Sequence, residues 1–133
     1  MRLDLYNNVK TLTLLELSSR TASENGSAVD VSKYDGVAKA VLVVGDCTGD
    51  GAANDQTYDV KIQESDDAST WTDVVSFTQY TDESTATVEE KAVPLRTRKK
   101  YLRGVFTYGG TEGGTFPSAL VLLVANAPSA PIS

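Results

Sequence analysis

Short segments with a two-residue hydrophobic period recur along the chain, and this period most constrains its fold. Between residues 57 and 65, Tyr58, Val60 and Ile62 alternate with polar residues, which is typical of a half-buried β-strand. Further strand-like segments, separated by turn-rich stretches, cover residues 9–17, 28–31, 37–45, 71–77, 85–93, 101–108 and 119–125. No segment carries a 3.6-residue apolar stripe longer than two turns, as a long amphipathic helix would. The pattern predicts an all-β fold: a single-domain antiparallel β-sandwich of about eight strands, jelly-roll-like in type.

Two of these segments are apolar almost throughout, instead of at alternate positions. Residues 37–45 are interrupted only by Lys39, and residues 119–125 contain no charged side chain. A strand with apolar residues on both sides is typical of a strand that is buried on both sides. We therefore expect both faces of the strand at residues 37–45 to be covered.

Both ends of the chain differ in composition from its middle. The β-sandwich domain is predicted at residues 9–125, after an N-terminal arm at residues 1–8. A Pro-containing C-terminal tail follows at residues 126–133, where Pro128 and Pro131 are incompatible with a central strand. Disorder is the ordinary state of such ends, and docking on a neighbouring subunit is the alternative.

Residue types that are absent exclude several classes of protein. The 133-residue chain contains no His and a single Cys, Cys47. Ser-His-Asp and Cys-His catalysis, a disulfide framework and a Cys-rich zinc site are therefore excluded within this chain. Carboxylate, Lys or Tyr chemistry stays possible, but no cleft signature accompanies it. We predict that the protein is not an enzyme, that it uses no cofactor and no metal, and that Cys47 is inert.

Targeting signals are absent from the residues that begin the chain. Asp4 follows closely after Arg2, and the apolar run at residues 12–17 is broken by Thr13 and Glu16. The run is too short for a membrane span and does not resemble a signal peptide. We expect a soluble product that folds in a reducing cytoplasm and has no membrane partner.

Charge is distributed unevenly behind a net charge of −6. Residues 46–90 contain twelve acidic residues and one basic residue, Lys61, whereas residues 96–103 contain five basic residues and no acidic one. The overall acidity argues against direct binding of nucleic acid, which requires a basic surface. Acidic loops of this kind also keep a β-protein soluble and discourage pairing between sheet edges.

A basic cluster is the most specific feature of this charge pattern. One interpretation is a group of solvated gatekeeper residues at the edge of a strand. The other is an electrostatic patch that meets an acidic surface on another subunit or on a partner. The candidate interface residues are Arg96, Arg98, Lys99, Lys100 and Arg103.

A possible calcium loop lies at residues 46–55. Asp46, Thr48 and Asp50 occupy ligand positions 1, 3 and 5, and Gly51 occupies position 6. The last ligand position is Thr57, where a bidentate Glu is required, and no helices flank the loop. A Gly- and Asp-rich strand connection explains the same residues, so no metal site is predicted.

Two further motifs resemble catalytic or ligand-binding sequences only in part. Glu64, Asp66 and Asp67 precede Trp71, but glycoside hydrolysis needs two carboxylates across a sugar-binding groove. We expect a polar turn at these acids, with Trp71 anchoring the next strand in the core. The glycine-rich residues 108–114 lack the Gly-Lys-Ser/Thr ending of a phosphate loop and are predicted to form a strand connection.

Three segments together carry a resemblance to a known family. They are Val-Lys-Ile-Gln-Glu-Ser-Asp-Asp at residues 60–67, Trp-Thr-Asp-Val at 71–74 and Tyr-Leu-Arg-Gly-Val at 101–105. A strand that ends in Gln-Glu-Ser-Asp-Asp, followed by a Trp strand and a Tyr-x-Arg strand, resembles the capsid decoration (cement) proteins of tailed bacteriophages. The resemblance covers roughly residues 27–125.

The resemblance implies a non-enzymatic virion structural protein. Such a protein folds as a β-sandwich, assembles as a homotrimer and binds the major capsid protein on the outer capsid surface, where it stabilises the shell. It would be made in the host cytoplasm and located in the virion. The basic run from Arg96 to Lys100 would contact acidic capsid surface or an adjacent subunit, and the chain ends would add contacts.

A carbohydrate- or receptor-binding β-module of a phage tail or fibre is the alternative. Such a module needs exposed aromatic side chains on one face, and Tyr80, Tyr108 and Phe116 are the candidates. For each of them an ordinary turn or core aromatic is the favoured interpretation, because a sandwich core must be filled. The exposure of these three rings separates the two interpretations.

Overall fold

The computed structural model describes residues 8–46, 56–81, 85–110 and 115–125. The strands in these ranges are β1 (Val9–Arg20), β2 (Glu24–Asn25), β3 (Val29–Asp30), β4 (Val37–Val44), β5 (Thr57–Ser65), β6 (Thr72–Ser76), β7 (Tyr80–Thr81), β8 (Thr87–Pro94), β9 (Tyr101–Gly109) and β10 (Phe116–Ala125). Every predicted segment contains a strand, and β2 and β7 are short additional ones, so the all-β prediction is confirmed. None of the described stretches forms a helix with the length and apolar character that spanning a bilayer requires. Of the predicted arm only Asn8 is described, and the predicted tail lies outside the described residues.

The strands form two antiparallel sheets that face each other. The four-stranded sheet has the order β1-β10-β4-β8, and the six-stranded sheet has the order β2-β9-β5-β6, with β3 also paired to β9 and β7 to β5. If β2 with β3 and β6 with β7 are each counted as one interrupted strand, the orders become 1-8-3-6 and 2-7-4-5. Consecutive strands thus alternate between the sheets for most of the chain, which is the jelly-roll arrangement found in viral capsid and lectin domains.

The core fills the space between the two sheets. On β4, Ala38, Ala40 and Leu42 are buried and alternate with more exposed residues, as the two-residue period of a strand requires. Opposite them, Tyr58 on β5 stacks on Phe116 of β10 with ring centroids 3.8 Å apart. The sandwich is therefore held together mainly by apolar and aromatic burial.

In the sequence of residues 9–17, Leu12 and Leu14 alternate with Thr11 and Thr13, and Leu15 then shifts the phase. A β-bulge in β1 explains this change of phase. The register with β10 shifts between Thr13 and Leu15, and the consecutive residues Leu14 and Leu15 are both buried. A bulge inserts an extra residue into one strand and reorients the side chains that follow it. β1 also passes close to β9 at this point. If Gly104 on β9 carried a Cβ atom, that atom would lie only 2.7 Å from Leu15 Cγ.

Among the residues that the structure describes, one charged side chain is buried, that of Arg20 at the end of β1. Its Nη1 donates to the Ser118 carbonyl oxygen at 2.6 Å and to Ser118 Oγ at 3.1 Å. Its guanidinium lies 5.7 Å from the centre of the Phe106 ring. Because a buried charge requires partners of this kind, Arg20 specifies how β1 and β10 meet at this end of the sandwich.

The outer side of the four-stranded sheet differs from what the sequence predicts. Val37 is 71% exposed and Val43 is 43% exposed, although Ala38 and Leu42 on the same strand are buried. The prediction that both faces of residues 37–45 are covered is therefore wrong within this chain. One layer of the sandwich covers only the inner face of β4, and the outer face is open.

Candidate functional site

The turn between β8 and β9 carries most of the predicted basic cluster, and it packs against the segment between β3 and β4. The Leu95 N–H group donates to the Gly36 carbonyl at 2.8 Å, and the Val31 N–H group donates to the Lys100 carbonyl at 2.9 Å. Val31, Tyr34 and Leu95 are buried beside these bonds. Two segments that are far apart in the sequence are thereby held in a defined arrangement.

A cleft of about 360 Å³ lies between these two segments. Its charged lining residues are Lys33, Asp35, Arg96, Arg98, Lys99 and Lys100, and we call it the basic cleft. Four of the five predicted interface residues are brought together here. Lys33 was not predicted, because it stands alone in the sequence and only the pairing of β3 with β9 places it beside the cluster.

The two arginines of the basic cleft are engaged by carboxylates of the same chain. Arg96 Nη2 lies 3.2 Å from Asp35 Oδ2, and this hydrogen bond is the main cause that lowers the pKa of Asp35. Arg98 Nε lies 3.8 Å from Glu64 Oε1, and the same oxygen accepts a hydrogen bond from the Lys99 N–H group at 2.9 Å. The arginines and their carboxylates therefore fix the shape of the turn, and much of their charge is neutralised within the chain.

The three lysines of the basic cleft are exposed to solvent. Lys33 Nζ lies 5.6 Å from the centre of the Tyr34 ring, and Lys100 Nζ lies 5.2 Å from that of Tyr101. Within the described ranges, none of the three forms a salt bridge. Lys99 and Lys100 thus present positive charge outward from a turn that the arginines hold in place, and Lys33 does so from the segment between β3 and β4.

Arg103, the fifth predicted interface residue, lies apart from the basic cleft on the outer side of the six-stranded sheet. Its guanidinium lies 4.3 Å from the centre of the Trp71 ring, and Nη2 donates to Gln63 Oε1 at 2.8 Å. Trp71 is half-buried under this guanidinium, so the prediction that it anchors a strand in the core is wrong. A cation above an indole ring is a favourable arrangement at a surface, and it covers the tryptophan without placing it in the core.

The acidic cluster before Trp71 forms a polar turn, as the sequence predicts. Asp67 Oδ1 accepts hydrogen bonds from the N–H groups of Ser69 at 2.9 Å and Thr70 at 3.0 Å, and from Ser65 Oγ at 2.9 Å. These bonds, the backbone ones above all, stabilise the charged form and lower the pKa of Asp67 to about 2. Glu64 contacts Arg98 instead. Asp67 therefore stabilises the turn that follows β5, and Glu64 stabilises the turn between β8 and β9.

The possible calcium loop lies mostly outside the described residues, as do Cys47 and residues 111–114 of the glycine-rich stretch. Asp46 is described, and its Oδ1 accepts a hydrogen bond from the Ala86 N–H group at 2.6 Å. In the part of the chain that the structure describes, no group of three or more His, Cys, Asp or Glu side chains could hold a metal ion. The absence of a metal site stays a prediction.

The three aromatic residues that could have formed a sugar-binding platform belong to the core or its edge. Tyr80 and Phe116 are buried, and Tyr108 packs edge-to-face on Tyr58 with centroids 5.3 Å apart. Tyr80 Oη donates to Glu89 Oε1 at 2.6 Å. Burial in the first place, together with this carboxylate, raises the pKa of Tyr80 above its usual value. The interpretation of these rings as core aromatics is therefore confirmed.

No protein-family model matches the chain, and a comparison with curated protein sequences finds no match either. Solved structures do share its fold. The PBSX exported protein XepA aligns with a TM-score of 0.55 at 15% identity, over 93% of this chain and 39% of that chain. A chain of the T13 particle of infectious bursal disease virus aligns with a TM-score of 0.54 at 13% identity, over 92% of this chain and 32% of that chain.

A xylan-binding module also aligns, at 13% identity over 98% of this chain and 97% of that chain, but its TM-score of 0.45 is too low to bear on function. The chain spans well under half of the XepA and viral chains that it matches. At sequence identities of 13% and 15%, these alignments show a shared fold and nothing beyond it. The chain is an all-β jelly-roll-like sandwich, and structures with the same fold include a protein of a viral particle.

Proposed function

We propose that this protein is a non-enzymatic virion structural protein that binds the outer surface of a phage capsid and stabilises the shell. The observation that carries the proposal is the basic cleft, which presents Lys33, Lys99 and Lys100 on a chain whose net charge is −6. The partner is the major capsid protein, through an acidic surface, and the assembled form is a homotrimer in the virion. The fold supports this role, because jelly rolls build viral particles.

The charge arrangement suits binding to a protein surface more than binding to nucleic acid or membrane. A local positive patch on an acidic protein steers an acidic partner toward one orientation, and it repels polyanions elsewhere. The carboxylates of Asp35 and Glu64 hold the arginines, so the patch keeps its shape before the partner arrives. Pre-organised charge of this kind lowers the ordering cost of binding.

The carboxylates nearest to an enzyme-like arrangement serve local structure, and this supports the proposal of a protein without catalysis. Asp67 accepts hydrogen bonds from the turn that follows it, and Glu64 contacts Arg98 and the Lys99 backbone. Neither pairs with a second carboxylate across a groove, as glycoside hydrolysis requires.

Binding to undecorated capsids, imaged by electron microscopy and measured as a function of salt, tests the proposal. The variant Lys33→Gln/Lys99→Gln/Lys100→Gln removes the three outward charges and leaves both arginines in place. Exposed ion pairs contribute about 0.2–1 kcal/mol each, so three of them predict binding about 3- to 150-fold weaker, with less salt sensitivity. The control Lys10→Gln/Lys61→Gln/Lys91→Gln removes the same charge elsewhere and should bind like the wild type. Absence of wild-type protein from every regular lattice position would overturn the proposal.

The alternative function, a carbohydrate- or receptor-binding module of a phage tail or fibre, rests on a different surface. Trp71 is an aromatic residue on the outer side of the six-stranded sheet, beneath Arg103 and beside the Gln63 and Asp73 side chains. Indole, amide and carboxylate groups are the types that bind sugars. Calorimetric titration with oligosaccharides distinguishes the functions: heat that disappears in Trp71→Ala would support the alternative.

A further inference from the structure

The outer side of the four-stranded sheet carries a continuous apolar surface across β10, β4 and β8, and β1 adds Thr11, Thr13 and Ser19 beside it. Leu17 is 77% exposed, Val37 71% and Val88 59%, and half-buried or exposed apolar residues surround them. Its apolar members are Val9, Leu17, Val37, Val41, Val43, Val88, Ala92, Pro94, Pro117, Ala119, Val121, Leu123 and Ala125. We call this surface the apolar sheet face.

Strand register makes the apolar sheet face continuous. Ala119 on β10 pairs with Val43 on β4, and Val43 pairs with Val88 on β8, so the three side chains form one row across the sheet. The next row places Val121 beside Val41. Neighbouring strands lie about 4.8 Å apart, so side chains in a row touch each other.

The charged residues within the apolar sheet face neutralise each other. Lys39 Nζ lies 3.4 Å from Glu90 Oε1, and both side chains are about half exposed. The face therefore carries one cation and one anion side by side and offers no net charge to a charged partner. Beside Lys39, a groove of about 780 Å³ is lined by Val9, Val37 and Leu123 among others.

The size of the apolar sheet face matches a protein interface. β4 has eight residues, so the face is about 26 Å long at about 3.3 Å per residue and about 19 Å wide across four strands. This corresponds to about 500 Å² for the whole face, of which Thr11, Thr13, Lys39 and Glu90 occupy a part. Two copies together would bury about 1,000 Å², which reaches the lower limit of specific interfaces.

We propose that a second copy of this chain covers the apolar sheet face. Surfaces with an apolar centre are typical of permanent contacts between identical subunits, whereas transient partners meet through more polar surfaces. Lys39 and Glu90 lie on the same face, so each can pair with the opposite charge on the other copy. The basic cleft, which the proposed function assigns to the capsid, lies apart from this face. The inference therefore does not depend on capsid binding, although it shares the association of identical copies with the homotrimer of the proposed function.

The geometry of the sheet accommodates either two or three copies. Packed sheets lie about 10 Å apart, so two faces can stack directly. Three sheets about 19 Å wide can also enclose a prism whose axis is about 5.5 Å from each sheet, which is about half of that packing distance. A trimer would agree with the homotrimer in the proposed function. A dimer would change the number of subunits from three to two, and the apolar sheet face would still be the contact between them.

Sedimentation equilibrium of the full chain from about 1 to about 100 µM tests the inference, because this range spans weak and moderate subunit affinities. The variant Val43→Lys/Val88→Glu places an ion pair between residues that already face each other, and it leaves the net charge unchanged. Burying these charges against another copy is unfavourable, so we expect the dissociation constant to rise about 100-fold or more. Association should also persist in high salt, because its origin is apolar burial.

The control variant Thr107→Lys/Ser76→Glu places one cation and one anion on the outer side of the other sheet, opposite Asp59 and Lys61. It should associate like the wild type. If Val43→Lys/Val88→Glu does not fold, Val43→Thr/Val88→Thr keeps the shape and should still weaken association. A monomeric wild type at about 100 µM, or association unaffected by both face variants, would falsify the inference. A monomer whose capsid binding depends on Val43 and Val88 would assign this face to the capsid instead.

Discussion

The two sheets of the sandwich have similar inner faces and opposite outer faces. Outside the six-stranded sheet, Lys61 and Gln63 both contact Asp73, at 3.2 Å and 2.8 Å, and Arg103 contacts Gln63. Outside the four-stranded sheet, the corresponding positions on β4 include Val41 and Val43. Both sheets use the same two-residue period, so the period decides which side chains point outward and the residue types there decide what the surface can meet.

The two outer faces also differ in what they contribute to the free energy of folding and of association. Exposed ion pairs contribute about 0.2–1 kcal/mol each, so the charged outer face adds solubility more than stability. Apolar area contributes about 25 cal/mol per Å² only when it is removed from water. The exposed area of the apolar sheet face therefore contributes nothing in a monomer, and its burial becomes favourable on contact with another surface.

The largest expected effect on stability distinguishes the buried inner side of β4 from its exposed outer side. Leu42 is fully buried and Val43 is not. We expect Leu42→Ala to lower the free energy of unfolding by about 2–5 kcal/mol, and Val43→Ala to lower it by less than about 1 kcal/mol. Urea denaturation at low protein concentration, where copies do not associate, measures both. Equal losses would contradict the assignment of Val43 to an open face.

The charged outer face can be tested at its aromatic contact. Trp71→Ala removes the ring beneath the Arg103 guanidinium, and we expect a loss of about 1–2 kcal/mol in the free energy of unfolding from packing and the cation–π contact. In a double-mutant cycle with Arg103→Ala, the coupling energy should be about 0.5–1 kcal/mol. A coupling energy of zero would show that the two side chains do not interact in solution.

Low pH should reduce the free energy of unfolding by protonating carboxylates on the charged side of the molecule. The pKa of Asp67 is lowered to about 2 by hydrogen bonds, and that of Asp73 is lowered by Gln63 first and then by Lys61. An unfolded Asp titrates near about 3.9, so the stability that these groups contribute is present above that pH and is lost as pH falls toward about 2. Thermal unfolding at stepped pH should show this decline, and Asp67→Asn should flatten it. Asp66→Asn, which leaves the turn's hydrogen bonds intact, serves as the control.

The smallest effect concerns the turn at the end of β5. Ala68 has a φ of 61°, a left-handed conformation that is unfavourable for residues with a Cβ atom. Ala68→Gly removes this strain and should raise the free energy of unfolding by about 0.5–1 kcal/mol, after the larger entropy of glycine in the unfolded chain is subtracted. A loss of stability in thermal denaturation would show that the alanine is unstrained.

Local patterns predicted much of this fold because strand formation depends on neighbouring residues. The alternation at Tyr58, Val60 and Ile62 correctly assigned β5 and its buried side, and the change of phase near Leu15 corresponds to the bulge. The same reasoning failed for Trp71, because an aromatic after a turn packs equally well in a core or beneath an arginine. It failed again for residues 37–45, because a sequence records how apolar a face is and not what covers it.

The composition of the basic cluster was visible in the sequence, but its arrangement was not. Four cations in five residues indicated a patch, and the turn between β8 and β9 does present them. The addition of Lys33, the neutralisation of Arg96 by Asp35 and the separation of Arg103 all depend on which strands lie side by side. Such contacts join residues far apart in the chain, so no local pattern contains them.

The sequence by itself determined the all-β class, the strand positions and the absence of His-dependent chemistry, because these follow from residue types and their short-range period. Only the tertiary structure decided the strand order, the residues that hold the basic cleft and the face of the sandwich that is left open. The physical reason is that a strand specifies its two sides locally, whereas burial is completed by partners that the folded chain, or a second copy of it, brings to each side.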